Sequence, residues 1–158
     1  MSVLGELQPN KVFKYFEEIC SIPHGSRNLQ QISDYLVDFA KAHELKYRQD
    51  EDLNVIIWKD GSKGYEESDP VILQGHMDMV AVKEADCDKD MEKEGLDLEI
   101  NGDYISAKGT SLGGDDGIAV AYTLAVLDDE EMAHPPIEAI FTVNEEIGML
   151  GACLLYTS

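Results

Sequence analysis

The sequence predicts an α/β domain built on a mixed, mostly parallel sheet covered by helices on both faces. Short apolar runs of strand length, VIIW at 55–58, VIL at 71–73 and IEAIFTV at 137–143, alternate with segments of helical periodicity. The first two runs are apolar throughout, as strands buried on both faces are. No internal repeat or low-complexity linker divides the chain, so the residues present read as one domain.

Pro9 suits the first position of a helix, and Val12, Phe13, Phe16, Ile19 and Cys20 then recur at helical spacing until Ile22-Pro23 stops them. A second amphipathic helix is expected from near Ser26, with Leu29, Ile32, Leu36, Phe39 and Ala40 on one face. Val55 to Trp58 reads as a buried strand closed by the Asp60-Gly61 turn, and Val71 to Leu73 as a second buried strand that delivers His76. Leu96 to Ala107 alternates around Asn101-Gly102, the signature of a type I′ hairpin. Gly113 and Gly114 make a tight turn before a mostly apolar helix, Ile118 to Leu127, which needs cover on several sides. After Pro135-Pro136, Ile137 to Val143 form a strand ending in Asn144-Glu145-Glu146.

Composition narrows the function. The chain has 158 residues, 44% hydrophobic and 28% charged, which suits a globular domain with a real core. A formal charge of −20, from 12 basic and 32 acidic residues, argues against nucleic acid or an anionic membrane as partner. The acidic stretch Glu84 to Glu99 reads as a solvated loop. No apolar stretch approaches the length of a membrane span and the N-terminus lacks a secretory core, which points to the cytoplasm. Cys20, Cys87 and Cys153 are few and widely spaced, as reduced thiols are; Cys20 is expected in the core and Cys87 at the surface.

Three segments carry chemistry: VILQGHMDMV with His76 and Asp78, GTSLGGDDGIAVAY with Asp115 and Asp116, and IEAIFTVNEEIGMLGA with Glu145 and Glu146. His76 and the glutamate pair each follow a strand, where ligands collect in α/β sheets. Taken singly, each has a plain explanation: a structural histidine, an Asp that caps a helix, a solvated glutamate pair. Together they form an imidazole–carboxylate set suited to zinc or a similar divalent ion. A carboxylate near a liganding imidazole can fix its tautomer, so Asp78 beside His76 has its own logic. His24, His43 and His134 have no carboxylate motif around them and read as loop or helix-end residues. The glycines of GTSLGGDDG do not match a phosphate-binding loop. Met77 and Met79 are expected to pack around the strand exit.

In order and spacing, LQGHMDMV, KGTSLGGDDGIAVAYTLAVL and NEEIGMLGA, with the opening helix and CSIPHGS, resemble the M20 family of co-catalytic metallopeptidases. Within it the resemblance is to the aminoacyl-histidine dipeptidase branch, from about Val3 to Ala152. It implies a zinc-peptidase-like catalytic domain with two divalent ions, zinc first and cobalt or manganese as alternatives. His76 would bind one ion, Asp115 would bridge both and Glu146 would bind the second. Glu145 would be the general base, Asp78 would orient His76, and Asp116 is not implied as a ligand. The implied substrates are unblocked dipeptides, Xaa-His among them, and the implied full-length state is a homodimer.

The sequence also departs from that pattern. Family members continue with a further acidic ligand, a small inserted lid and dimerisation domain, and a distal histidine. The expected organisation is therefore the N-terminal part of a catalytic domain over 1–152, with the second domain absent and little or no turnover from this chain alone. Cys153 to Ser158 (CLLYTS) match the translation of a transposon-end adaptor used in DNA library preparation, and are expected to be a non-native tail. Two other functions compete: a related deacylase or amidase on the same scaffold, and a non-catalytic binder of divalent cations.

Overall fold

In the computed structural model, which describes residues 2–157, helices α1 (Asn10–Cys20) and α2 (Gln30–Ala42) precede the strands β1 (Lys46–Gln49), β2 (Val55–Lys59) and β3 (Val71–His76). The hairpin β4 (Leu98–Asn101) and β5 (Tyr104–Ala107) follows, then α3 (Gly114–Leu127), β6 (Ile137–Thr142) and α4 (Leu150–Thr157). The main sheet has the order β1-β2-β6-β3, and β4-β5 forms a separate ribbon. The sheet is mixed: β1 with β2 and β2 with β6 are antiparallel, while β3 runs parallel to β6, with Val71 opposite Ile137 and His76 opposite Thr142. That last register matters most, because it brings the ends of β3 and β6 to the same edge of the sheet.

The two sheet faces are unequal. Val55 and Ile57 share one face with Ala139 and Phe141, and these pack with Phe16, Ile19, Ile32, Leu36, Val120 and Leu124 into one continuous core. On the opposite face Ile56 is buried, but Trp58 and Ile140 are only half-buried. Tyr15 and Phe39 meet edge to face at 5.5 Å and join α1 to α2.

Several elements differ from the sequence reading. Pro9 is the residue before α1 rather than its first turn, in extended conformation at φ −72° and ψ 126°. α2 starts at Gln30, not near Ser26, because Gly25 and Ser26 pair with the chain after β3 and Arg27 adopts φ 72°. β1 was not expected; its residues are mostly exposed and carry no apolar signal, so only pairing with β2 defines it. β3 is a sheet edge, with Val71 43% and Ile72 60% exposed, and becomes buried only at Gly75 and His76. In the hairpin Asn101 pairs with Tyr104, so the turn residues are Gly102 and Asp103, of which only Gly102 is left-handed. α4 takes in Leu150 to Thr157 and so includes most of the expected tail, while Ser158 lies outside the described residues. Cys20 is buried and Cys87 half-buried. No helix among the described residues is long and apolar enough to cross a membrane.

The unequal burial predicts unequal sensitivity. Phe141 is fully buried, so Phe141→Ala should cost about 3–5 kcal/mol in urea unfolding. Ile72→Ala, on the exposed part of the edge strand, should stay within about 0.5 kcal/mol.

Candidate metal centre

Three chain segments meet at the ends of β3 and β6. The parallel register places His76 at the end of β3 beside Thr142, and the next residues of each strand carry Asp78 and Glu145-Glu146. The third segment is the start of α3. Gly113 turns it at φ 68°, and a side chain there would meet the Met79 sulfur at 2.9 Å, so glycine is needed for both conformation and space. Asp115 and Asp116 have non-helical backbone angles and are joined by a cis peptide. Their side chains point in different directions. Asp115 points outward, 89% exposed, while one carboxylate oxygen of Asp116 accepts the His76 amide at 3.3 Å. Gly75 allows that approach, since a Cβ there would lie 3.1 Å from the Asp116 carboxylate.

His76 is buried and its two ring nitrogens face different partners. Nδ1 lies 2.9 Å from the main-chain carbonyl of Asp78 and 3.5 Å from its carboxylate. A carbonyl can only accept, so it holds the proton on Nδ1 and leaves the Nε2 lone pair, in the neutral ring, for an electrophile. The main-chain carbonyl of Asp78 is therefore the nearer partner of Nδ1, ahead of the carboxylate expected from the sequence to orient the ring. Nε2 lies 3.2 Å from Asp115 and 3.8 Å from Glu145. One donor atom each from His76, Asp115 and Glu146 lies within 4.8 Å of the others, a spacing that can hold a metal ion.

Asp78 is fully buried and accepts from three directions. The Ser26 hydroxyl reaches Oδ2 at 2.8 Å, the Glu145 amide reaches Oδ1 at 3.0 Å, and the Glu146 amide reaches Oδ2 at 3.4 Å. Burial alone would raise its pKa; the His76 imidazole, the Ser26 hydroxyl and the Glu145 amide outweigh it and hold the carboxyl below its usual value. Burial likewise opposes a charge on His76, but the Asp78 side chain and carbonyl and the Asp115 carboxylate prevail, and its pKa is pushed up to about 9. Burial raises Glu146, and the Asp115, Glu145 and Asp78 carboxylates add to this against the pull of His76. Burial also raises Asp116.

Every residue proposed from the sequence therefore sits in this cluster: His76, Asp78, Asp115, Glu145 and Glu146. Sequence reasoning did not find the contributions of Ser26, Asn144 and Asp116. Asn144 accepts the Arg27 amide through Oδ1 at 2.9 Å, tying the loop before α2 to the loop after β6. The other histidines stay apart from the cluster's ligand atoms. His24 and His134 are buried, with Nδ1 on the carbonyls of Ile22 and Pro135, and His43 pairs with Asp128 at 3.4 Å. Met77 and Met79 are buried as expected. A cleft of about 1100 Å³ opens beside the cluster, with Ser26, Arg27, Met79, Lys83 and Glu146 among its walls.

No family model matches the chain. It is 41% identical over 152 residues, 96% of its length, to the cytosol non-specific dipeptidase of Escherichia coli K12. Its fold matches the aminoacylhistidine dipeptidase of Vibrio alginolyticus with a TM-score of 0.92 at 40% identity, over 95% of this chain. A Staphylococcus aureus tripeptidase shares the fold at a TM-score of 0.75 and 24% identity, covering 94% of this chain and 40% of the tripeptidase. The chain spans 31% of the length of both dipeptidases. By sequence and fold together, the chain is similar to these dipeptidases over nearly its whole length.

The His76 environment can be tested in the metal-free chain. Its imidazole should titrate near pH 9 by nitrogen-detected NMR, with the proton kept on Nδ1 in the neutral ring. The folded pKa lies above the ordinary 6.5, so the stability it contributes is full below that value and is lost as pH rises through about 9. A midpoint near 6.5 would show that the carboxylates do not act on the ring as described.

Proposed function

We propose that these residues are the metal-binding and catalytic portion of a dipeptidase that hydrolyses unblocked dipeptides, Xaa-His among them. One observation carries the proposal. Three carboxylates, Asp115, Glu145 and Glu146, gather around one imidazole, and among the described residues no lysine or arginine forms an ion pair with any of them. Such a concentration of negative charge calls for a cation, and the imidazole–carboxylate donor set suits zinc, with cobalt or manganese as alternatives. His76 and Asp115 would hold one ion and Asp115 and Glu146 a second, with Asp78 keeping His76 in its liganding tautomer. Bound divalent ions supply Lewis-acid polarisation of the scissile carbonyl and a lowered pKa for water.

The remaining work falls to side chains of this chain. Glu145 is partly exposed beside the triad and lies 3.8 Å from His76 Nε2, while its backbone is held by Asp78. That leaves its carboxylate able to take a proton from the attacking water and return it to the leaving amine. The adjoining cleft is ample for a dipeptide. Dipeptides are the substrates that the names of both relatives declare.

Three protein donors cannot fill the shells of two ions, so residues beyond this chain are needed for full activity, and the chain alone should turn over little or no substrate. The resemblance further supports 1–152 as the N-terminal part of the catalytic domain, a lid and dimerisation domain elsewhere and a homodimeric whole protein. The match of CLLYTS to an adaptor translation supports 153–158 as a non-native tail, and the sequence supports a cytoplasmic location. The charge of −20 supports a small-molecule partner over nucleic acid or an anionic membrane.

A chimera tests this directly, with residues 3–152 replacing the matching segment of the E. coli dipeptidase. It should hydrolyse Xaa-His dipeptides only with divalent metal. Glu145→Gln should lower kcat by at least about a thousandfold while metal uptake is kept. A folded chimera that takes up metal yet cleaves no dipeptide would overturn the proposal.

A further inference from the structure

The loop between α1 and α2 touches both strand ends that carry the candidate ligands, and it does so through specific bonds. Gly25 pairs in parallel fashion with Met79, with the Met79 amide donating to the His24 carbonyl and the Ser26 amide to the Met79 carbonyl, each at 3.1 Å. The following residue is tied to the other strand end, since the Arg27 amide donates to Asn144 Oδ1. Between these two anchors, the Ser26 hydroxyl donates to Asp78 Oδ2 at 2.8 Å. The same oxygen receives the Glu146 amide at a longer 3.4 Å, and its twin receives the Glu145 amide.

We infer that Ser26 is a positioning residue: by fixing the rotation of the buried Asp78 carboxylate, it sets the Glu145–Glu146 loop against His76. A carboxylate can turn about its Cβ–Cγ bond, and each turn would move both acceptor oxygens away from the two amides. The amides alone do not prevent this, because the Glu146 bond is long. The Ser26 hydroxyl supplies the short bond on Oδ2, from a loop whose backbone is fastened to both strand ends. Loss of the hydroxyl frees the carboxylate, loosens the amides of Glu145 and Glu146, and so displaces the Glu146 carboxylate from His76 and Asp115. This rests on the metal-centre reading only for its consequence on metal affinity. The coupling between Ser26 and the two amides stands without it.

Two measurements on the 158-residue chain test this separately. In metal-free Ser26→Ala, hydrogen exchange at the Glu145 and Glu146 amides should accelerate at least about tenfold while the amides of β6 keep their rates. The dissociation constant for Co²⁺, followed by its visible absorption, should rise at least about tenfold, the usual effect of losing an outer partner of a metal ligand. Ser26→Thr, which keeps the hydroxyl, should restore both. Unchanged exchange at Glu145 and Glu146 in Ser26→Ala overturns the inference, and so does equal acceleration throughout β6 that Thr fails to rescue. If the unmutated chain takes up no Co²⁺, the metal reading fails, and the exchange of the two amides still decides the role of Ser26.

Discussion

The buried carboxylate of Asp78 is the constraint on which the rest of the site depends. An ionised acid with no solvent exposure is tolerable only if its oxygens are met by donors, and here the donors come from elements far apart in sequence. One is the hydroxyl of Ser26 before α2, and two are the amides that lead out of β6. The His76 imidazole lies beside them, with its proton held by the carbonyl of Asp78. Satisfying this one charge therefore draws three chain segments together. The candidate ligands His76 and Glu146 lie on two of them.

The sheet provides the frame for that convergence. Because β3 and β6 are parallel and in register from Val71–Ile137 to His76–Thr142, their ends coincide, and residues that follow them share one edge. α3 completes the arrangement from the core face. Gly75 lets its first turn come close to β3, Asp116 bonds the His76 amide, and Asp115 is left facing outward beside the imidazole. Neighbouring aspartates thus divide their work, one fastening the helix start to the strand and the other available to a ligand. The packed core of Phe141, Ile57, Leu36 and Leu124 behind this edge is what makes such placements rigid.

Electrostatics then distinguish a site from a set of surface acids. Solvated carboxylates repel one another weakly and find lysines nearby, as Asp90 does with Lys93. Around His76 the carboxylates have the imidazole as their cationic neighbour: against burial, Asp78 and Asp115 push its pKa up to about 9, while burial and the neighbouring carboxylates raise Glu146 against the pull of His76. A divalent cation would relieve both perturbations. The proposed dipeptidase chemistry draws its support from this imbalance as well as from relatives about three times as long as the chain.

Much of this was legible in the sequence, because it is encoded by local pattern and residue type. The apolar runs of β2 and β6, the periodicity of α1 and the Gly-rich turn before α3 are each visible in a few consecutive residues. So is the set His76, Asp78, Asp115, Glu145 and Glu146, since imidazole and paired carboxylates after strands are an unusual chemical signal. What the sequence left undecided depends on contacts between distant segments. β1 exists through its pairing with β2, and the start of α2 yields to backbone bonds with the chain after β3. The edge position of β3 follows from strand order, which no local pattern records. Ser26, Asn144 and Asp116 are ordinary polar residues on loops and at a helix start. Only the tertiary structure, by burying Asp78 and requiring donors for it, decided which of them the site uses.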